Sequence, residues 1–202
     1  MSVYGEYEET LETVLAFIKG QIEDYTAEEY AKNGVKLHEH LICRVKSDES
    51  MREKLNAKGF EETSLNALRM VYDSIGIRIV CSFLDDVFAN IRMIREASWC
   101  EVIEEKDYIT HAKPNGYRSY HMIIACTAPY EDIDGNMPGK FYAEVQLRTI
   151  AMDSWAALEH KMKYKKSVKN QALIVSELKR CADELASCDL SMQTIRQLIE
   201  EN

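Results

Sequence analysis

The run Lys113-Pro114-Asn115-Gly116-Tyr117-Arg118-Ser119-Tyr120-His121 leads directly into Met122-Ile123-Ile124-Ala125-Cys126. The second half is continuously apolar and predicts a buried strand, and the Asn-Gly pair predicts a tight turn before it. In this turn the side chains of Lys113, Arg118 and His121 can hold phosphates, and the Tyr117 ring can stack on a base. The alternative is a charged hairpin loop that leads into a core strand.

Composition narrows the class of protein. The chain has 202 residues with a net charge of -9, which argues against a duplex-DNA-binding protein because such proteins present a basic face. The positive charge is concentrated between residues 44 and 58, which suits a small anion better than a long polyanion. No signal peptide or membrane span is apparent, and the six cysteines lack the spacing of a zinc or redox motif. We therefore expect a soluble, cytoplasmic protein with reduced thiols.

A second polar stretch lies on the predicted strand 141–147. Alternation directs Glu144, Gln146 and Arg148 to one face, and apolar residues to the other. Another strand, predicted within residues 73–83, begins with Asp73 and carries Arg78 inside an apolar run. Asp73 and Glu144 together are a plausible carboxylate pair for Mg²⁺, a hard cation that prefers oxygen ligands. The alternatives are a solvated strand face and an Asp73 that caps a turn or pairs with Arg78.

A third stretch combines a predicted strand at 35–46 with a short helix. Arg44 and Lys46 share one strand face, and Ser50 is predicted to cap the helix with Glu53 three residues later. Because the positive end of a helix attracts anions, the strand end and the helix start can converge on one phosphate group. The alternative is a solvated, charged turn.

The order of predicted elements indicates an α/β protein with a mixed sheet flanked by helices. We expect an N-terminal helix within residues 1–34, a central domain at 35–166 and a C-terminal helix within 167–202. The C-terminal helix carries apolar residues at alternating steps of four and three, which is typical of a helix that pairs with another helix, and self-association is favoured. This heptad seam consists of Ile174, Leu178, Cys181, Leu185, Cys188, Met192, Ile195 and Ile199.

Over residues 35–166 the chain resembles the small alarmone synthetases, stand-alone members of the RelA/SpoT synthetase family. Four motifs occur in the order that the family shows, and their combination is specific where each alone would be weak. They are Arg44-x-Lys46-x-x-x-Ser50-x-x-x-Lys54, Asp73-x-x-Gly76-x-Arg78, Lys113-x-x-Gly116-Tyr117-Arg118-Ser119-x-His121 and Glu144-x-Gln146-x-Arg148-Thr149. Trp155 and Glu159-His160 continue the pattern.

The resemblance implies a nucleotidyltransferase-like fold and a Mg²⁺-dependent transfer of pyrophosphate from ATP to the 3′-hydroxyl of GTP or GDP, with release of AMP. It implies that Asp73 and Glu144 bind the metal and that Lys54 and Arg78 share in catalysis. The implied ATP ligands are Arg44, Lys46, Ser50, Lys54, Lys58 and Arg78. Ala57 stands where many relatives carry a basic residue, and the adjacent Lys58 is expected to take its place. The implied ligands of the acceptor nucleotide are Lys113, Tyr117, Arg118, Ser119, His121, Gln146, Arg148 and Asp153, the last at a position where some relatives have asparagine.

The resemblance also implies a homotetramer joined through the terminal helices, and synthesis of (p)ppGpp without its hydrolysis. Activation by (p)ppGpp or by single-stranded RNA stays open, as does the preferred acceptor among GMP, GDP and GTP. Two other functions compete with this one. The first is pyrophosphate transfer to ATP, ADP or the 3′ end of tRNA, to which the lysines between 161 and 166 would contribute. The second is a non-catalytic nucleotide or RNA sensor, against which the two carboxylates argue.

Overall fold

A computed structural model describes residues 2–163 and 170–201 of the chain. Within these ranges it contains six α-helices and five strands. The helices are α1 (Glu8–Asn33), α2 (Asp48–Lys58), α3 (Ser64–Arg69), α4 (Leu84–Glu96), α5 (Ile150–Lys163) and α6 (Gln171–Glu200). The strands are β1 (His40–Val45), β2 (Ile75–Cys81), β3 (Cys100–Asp107), β4 (Tyr120–Ala128) and β5 (Gly139–Thr149). No described helix is long and apolar enough to cross a membrane.

The five strands form one mixed sheet in the order β1-β2-β5-β4-β3. β2 and β5 are parallel, and every other neighbouring pair is antiparallel. The expected mixed sheet flanked by helices is therefore confirmed, and β5 is its central strand.

The two faces of the sheet differ in chemistry. On one face, fully buried residues of β2 and β5 such as Ile77 and Val145 pack with α1 and α4, and Ile18 and Ile94 represent those helices in the core. On the other face, β5 presents Glu144 and Gln146, as its alternation predicts. Since α1 and α4 satisfy the apolar face, the polar face is left available for a site.

Local details around α2 differ from the sequence-based expectation. The helix is capped by Ser47, whose hydroxyl accepts the amide N–H of Ser50, so the prediction of Ser50 as the cap is wrong. Gly59 ends the helix at φ 75°, a left-handed conformation that glycine adopts without steric cost. β1 is also shorter than predicted, because Leu37 lies outside the ladder, where its carbonyl accepts a hydrogen bond from Asn90 of α4.

α6 packs on its own chain through a face rotated from the heptad seam. This face buries Ala182 together with the polar residues Asp189 and Gln193. At the far end of the helix, Gln193 Nε2 donates to Asp85 at 2.5 Å, and Arg196 Nη1 lies 2.5 Å from Asp86. α6 is thus attached to α4 by polar contacts.

The heptad seam itself is only half covered. Its first four residues are partly buried, whereas Met192, Ile195 and Ile199 are 50%, 51% and 70% exposed. Exposed large apolar side chains in register along one helix are typical of an unfilled interface. The seam therefore keeps a face that this chain does not cover with its described residues.

Candidate active site

Two rows of side chains cross the polar face of the sheet. Strand pairing aligns Arg44, Gly76, Glu144 and Ile123 in one row, from β1 through β2 and β5 to β4. The next row, one pleat further along the strands, consists of Ile42, Arg78, Gln146, His121 and Lys106, and extends into β3. The sheet thereby brings together side chains that are about a hundred residues apart in sequence.

A cavity of about 330 Å³ opens over the β1, β2 and β5 part of these rows. Lys46 Nζ lies 2.5 Å from Oδ2 of Asp73, and Lys54 Nζ binds the same oxygen. The other Asp73 oxygen and Arg78 Nε are buried without a hydrogen-bond partner among the described atoms. Unpaired buried polar groups are costly and indicate a missing ligand. The cavity is lined by Ile42, Arg44, Lys46, Asp73, Gly76, Ile77, Arg78, Glu144 and Gln146.

Glu144 is held by its neighbours in the ionised form. Burial alone would raise the pKa of this carboxyl, but His121 and Gln146, helped by the charge of Lys54, lower it to about 2. His121 Nδ1 lies 3.1 Å from one carboxylate oxygen, and Gln146 Nε2 donates to the other at 2.9 Å. The carboxylate is consequently charged throughout the physiological range and is fixed in orientation.

Asp153, on α5, connects the two arginines of the site. It lies 3.3 Å from Arg78 Nη1 and 2.9 Å from Arg148 Nη1. Burial, followed by the nearby charge of Arg148, lowers the pKa of Arg78. Asp153 therefore offsets the repulsion between two cations that face the same cleft.

A second cavity, of about 230 Å³, lies on the other side of Glu144, over β3 and β4. Lys113 spans its aromatic wall, with Nζ 4.4 Å from the ring centre of Tyr108 and 4.9 Å from that of Tyr117. Its lining consists of Glu104, Lys106, Tyr108, Lys113, His121, Ile123 and Glu144. Among the residues that the structure describes, Glu144 is the one that lines both cavities.

Tyr117 is half-buried beside this second cavity. Its hydroxyl lies 2.8 Å from His121 Nε2 and accepts a hydrogen bond from Arg148 at 2.7 Å. The Arg148 guanidinium lies 5.3 Å from the Tyr117 ring centre, and Lys113 also contacts the ring. The ring is therefore partly exposed, and the cations of Lys113 and Arg148 lie over it.

Eight predicted site residues line neither cavity. Four of them contact residues that do, namely Lys54, Tyr117, Arg148 and Asp153, and the other four lie farther away. Ser50 and Lys58 are exposed on α2 and are not among the described residues that line either cavity. Ser119 is fully buried, where its hydroxyl donates to the Leu147 carbonyl and accepts from Arg148 Nε, so it cannot reach a nucleotide from this position. Arg118 donates to the Ile109 carbonyl and faces α6 instead of the cleft.

Three lining residues, Glu104, Lys106 and Tyr108, were missed from the sequence. Glu104 and Lys106 lie on the edge strand β3, which has a register irregularity between Val102 and Glu104. A strict two-residue alternation across such a bulge assigns the side chains after it to the wrong face. The Tyr108 ring, directly after β3, packs edge-on against His121, a contact that no local pattern predicts.

The carboxylates suit a divalent cation that takes its remaining ligands from phosphates and water. Asp73 and Glu144 line one cavity, and Asp73 has a buried oxygen without a partner. The described residues contain no group of three or more His, Cys, Asp or Glu side chains that could enclose a metal ion. Mg²⁺ in phosphate-transfer sites is commonly held by one or two carboxylates with substrate phosphates, so the residues present fit this ion.

Comparisons with known proteins agree on one family. Residues 43–169 match the model described as the region found in RelA/SpoT proteins. The chain is 38% identical over 162 residues to the GTP pyrophosphokinase YwaC of Bacillus subtilis, covering 80% of this chain and 75% of that protein. The chain belongs to the RelA/SpoT family.

Solved structures of this RelA/SpoT family have the same fold. Small alarmone synthetase 2 from Bacillus subtilis superposes with a TM-score of 0.77 at 35% identity, covering 93% of this chain and 95% of that chain. Small alarmone synthetase 1 from the same organism, bound to its product pppGpp, superposes with a TM-score of 0.77 at 28% identity, covering 96% and 95%. The RelA/SpoT match includes all four motifs and every lining residue of the two cavities except Ile42.

Proposed function

We propose that this protein synthesises (p)ppGpp by transferring the β,γ-pyrophosphate of ATP to the 3′-hydroxyl of GTP or GDP, with AMP as the second product. One observation carries the proposal: Glu144 lies between two cavities of different chemistry. The first cavity is rich in cations and holds Asp73, which suits a nucleoside triphosphate with Mg²⁺. The second has an aromatic wall and a lysine, which suits a base and phosphates.

In the donor cavity, Arg44 and Arg78 are proposed to hold ATP, with one guanidinium stacked on adenine. Lys46 and Lys54 hold its phosphates after they leave Asp73. Asp73, together with Glu144, would then hold Mg²⁺, which neutralises charge on the transferred group. The partnerless Asp73 oxygen and Arg78 Nε support this arrangement, because a bound nucleotide and ion would satisfy both.

In the acceptor cavity, Tyr117 is proposed to stack on guanine. Lys113 must move off the Tyr117 and Tyr108 rings to allow this, and it then becomes available to the acceptor phosphates. His121, Gln146 and Arg148 orient the acceptor through the hydrogen-bond network around Glu144.

The reaction needs alignment and charge stabilisation more than a strong base. The 3′-oxygen forms a bond to the β-phosphorus of ATP while the bond from that phosphorus to the α,β-bridging oxygen breaks, and AMP leaves with that oxygen. Glu144 is ionised at neutral pH and can accept the proton of the 3′-hydroxyl as the new bond forms, after which the proton passes to solvent. In a loose transition state, the lysines and arginines of the cleft stabilise charge on the transferred group.

We also propose that copies of the chain associate through the heptad seam of α6 and the N-terminal helix, as a tetramer. The exposed part of the seam, from Cys188 through Met192 and Ile195 to Ile199, supports this assembly. All six cysteines are free thiols, which supports the expectation of a reducing, cytoplasmic environment.

Incubation with ATP, Mg²⁺ and one candidate acceptor at a time, followed by nucleotide chromatography, tests the activity. We expect AMP to form only with guanine nucleotides. Glu144→Gln should abolish AMP formation and keep the fold, while Glu101→Gln, a matched change at a carboxylate that is 72% exposed on β3, should leave activity unchanged. AMP formation with tRNA as the acceptor, or with ATP and Mg²⁺ alone, would contradict the proposal. In the second case a pyrophosphorylated adenine nucleotide among the products would identify ATP as the acceptor.

A further inference from the structure

α6 packs directly against the turn that carries the acceptor-side residues. Gly116 lies at φ 92° at the tip of this turn, where a Cβ would come 2.5 Å from Cβ of Ala182 and 3.4 Å from Cα of Lys179. Real Cβ atoms do not approach this closely, so residue 116 must be glycine, and the Ala182 methyl group packs against the position that a Cβ would occupy. Ala182 is 4% exposed, which shows that the contact is tightly closed.

Three further contacts attach α6 to the same region. Arg118 Nη2, from the turn, lies 3.9 Å from Asp183. The Thr149 hydroxyl, one residue after Arg148, donates to the buried carboxylate of Asp189 at 2.7 Å.

The third contact fixes α5 against α6. Trp155 Nε1 donates to the Leu178 carbonyl at 2.8 Å. The Trp155 ring lies 6.3 Å from the Tyr117 ring, so the contact ends next to the proposed stacking residue. On the opposite side of the turn, Asn115 Nδ2 donates to Glu159 of α5 at 3.1 Å.

We infer that Ala182 is a positioning residue for the acceptor nucleotide, because its contact with Gly116 fixes the turn that carries Lys113 and Tyr117. The inference rests on the proposed function, which supplies the acceptor. It gives α6 a role inside each chain that is separate from the exposed seam. The donor cavity is lined from β1, β2, the middle of β5 and the segment before β2, so the effect of Ala182 is specific to one of the two substrates.

The test is the substitution Ala182→Leu, which adds three carbons where the turn leaves no space. Ala182→Gly removes the contact without added volume. It tests the same inference if the leucine variant does not fold. The matched control is Ala172→Leu, the same change at an exposed position of α6. For each variant we would measure KM for ATP, KM for the guanine nucleotide, kcat, melting temperature and assembly size.

We expect Ala182→Leu to raise the acceptor KM at least about fivefold, which corresponds to about 1 kcal/mol of lost binding, while the ATP KM changes less than about twofold. Ala182→Gly should shift the acceptor KM in the same direction by a smaller factor, and Ala172→Leu should shift neither. Equal changes in both KM values, or no change in either, would overturn the inference. An inactive parent protein would refute the proposed function itself, whereas an active parent with unresponsive variants would refute only the role of Ala182.

Discussion

Replacement of Asp73 by asparagine should have opposite effects on ATP binding and on turnover. In the structure Lys46 and Lys54 both bind Oδ2 of Asp73, so the two cations that we assign to ATP phosphates are engaged by a carboxylate. Asparagine has nearly the same size but no charge. The substitution therefore releases both lysines without creating a cavity.

The magnitude follows from the exposure of the three side chains. Asp73, Lys46 and Lys54 are 12%, 19% and 35% exposed, so solvent screens the pairs in part. Ion pairs of this kind contribute about 0.2–1 kcal/mol each, and ATP must break both when it takes the lysines. Without Mg²⁺, Asp73→Asn should consequently bind ATP more tightly by about 0.4–2 kcal/mol, or about 2- to 30-fold.

Turnover should change in the other direction. Loss of one of the two proposed metal carboxylates should lower kcat/KM at least about 1000-fold, or about 4 kcal/mol. Calorimetric titration of ATP in EDTA gives the binding constants, and AMP release with GTP and Mg²⁺ gives the rates. Asp134→Asn, a matched change at a half-exposed carboxylate paired with Arg69, should affect neither. If Asp73→Asn binds Mg²⁺-free ATP no better than the parent, Asp73 does not restrain the lysines and the reasoning is wrong.

Three further predictions concern the acceptor site, pH and assembly. Tyr117→Ala should raise the acceptor KM by about 5- to 150-fold, the range expected for loss of one stacked base, with the ATP KM unchanged in steady-state assays; a parallel rise in both would contradict the stacking role. Burial raises the pKa of Asp189 despite its hydrogen bond from Thr149, so the folded state loses stability as pH rises through that pKa. Asp189→Asn should therefore gain more in melting temperature over the parent at pH 7.5 than at pH 4, and the reverse order would refute this sign. Ile195→Glu should dissociate the assembly at micromolar concentration, as measured by light scattering, because it places a charge in the exposed seam; an unchanged mass would exclude this part of the seam as the interface.

The alternation of polar and apolar residues, and the glycines that end helices, predict the fold well where a single local rule determines the structure. β5 shows this most clearly, since the two-residue period directs Glu144 and Gln146 to the polar face and leaves Val145 buried in the core. Gly34 and Gly59 end α1 and α2 in the left-handed conformation that glycine favours at a helix C-terminus. Asp73 and Glu144 line the same cavity, as the sequence predicts for a carboxylate pair. Asp73 lies just before β2 and Glu144 lies on β5, the neighbouring strand of the same sheet.

The failures occur where tertiary partners decide. Ser119 is polar and lies within a predicted nucleotide-binding motif, but its hydroxyl is already hydrogen-bonded to the Leu147 carbonyl and to Arg148. On α6, the period of the apolar residues identifies the heptad seam, which is largely exposed. It does not identify the buried face, because Asp189 is held there by a hydrogen bond from Thr149 and not by hydrophobic packing. The lysines between 161 and 166 were expected to contribute to the competing transferase function. Lys165, Lys166 and the side chain of Lys163 lie outside the described residues.

The central position of β5 explains how one sheet can align the two proposed nucleotide sites. β5 is the central strand, with β2 and β1 on one side and β4 and β3 on the other. Neighbouring strands are about 4.8 Å apart, so a donor over β2 and an acceptor over β4 would each be about one strand spacing from Glu144. The sheet that carries both groups of proposed nucleotide ligands is anchored by the core on its other face. The turn at Gly116 is fixed by its contact with Ala182, so acceptor alignment should be sensitive to substitution at this contact.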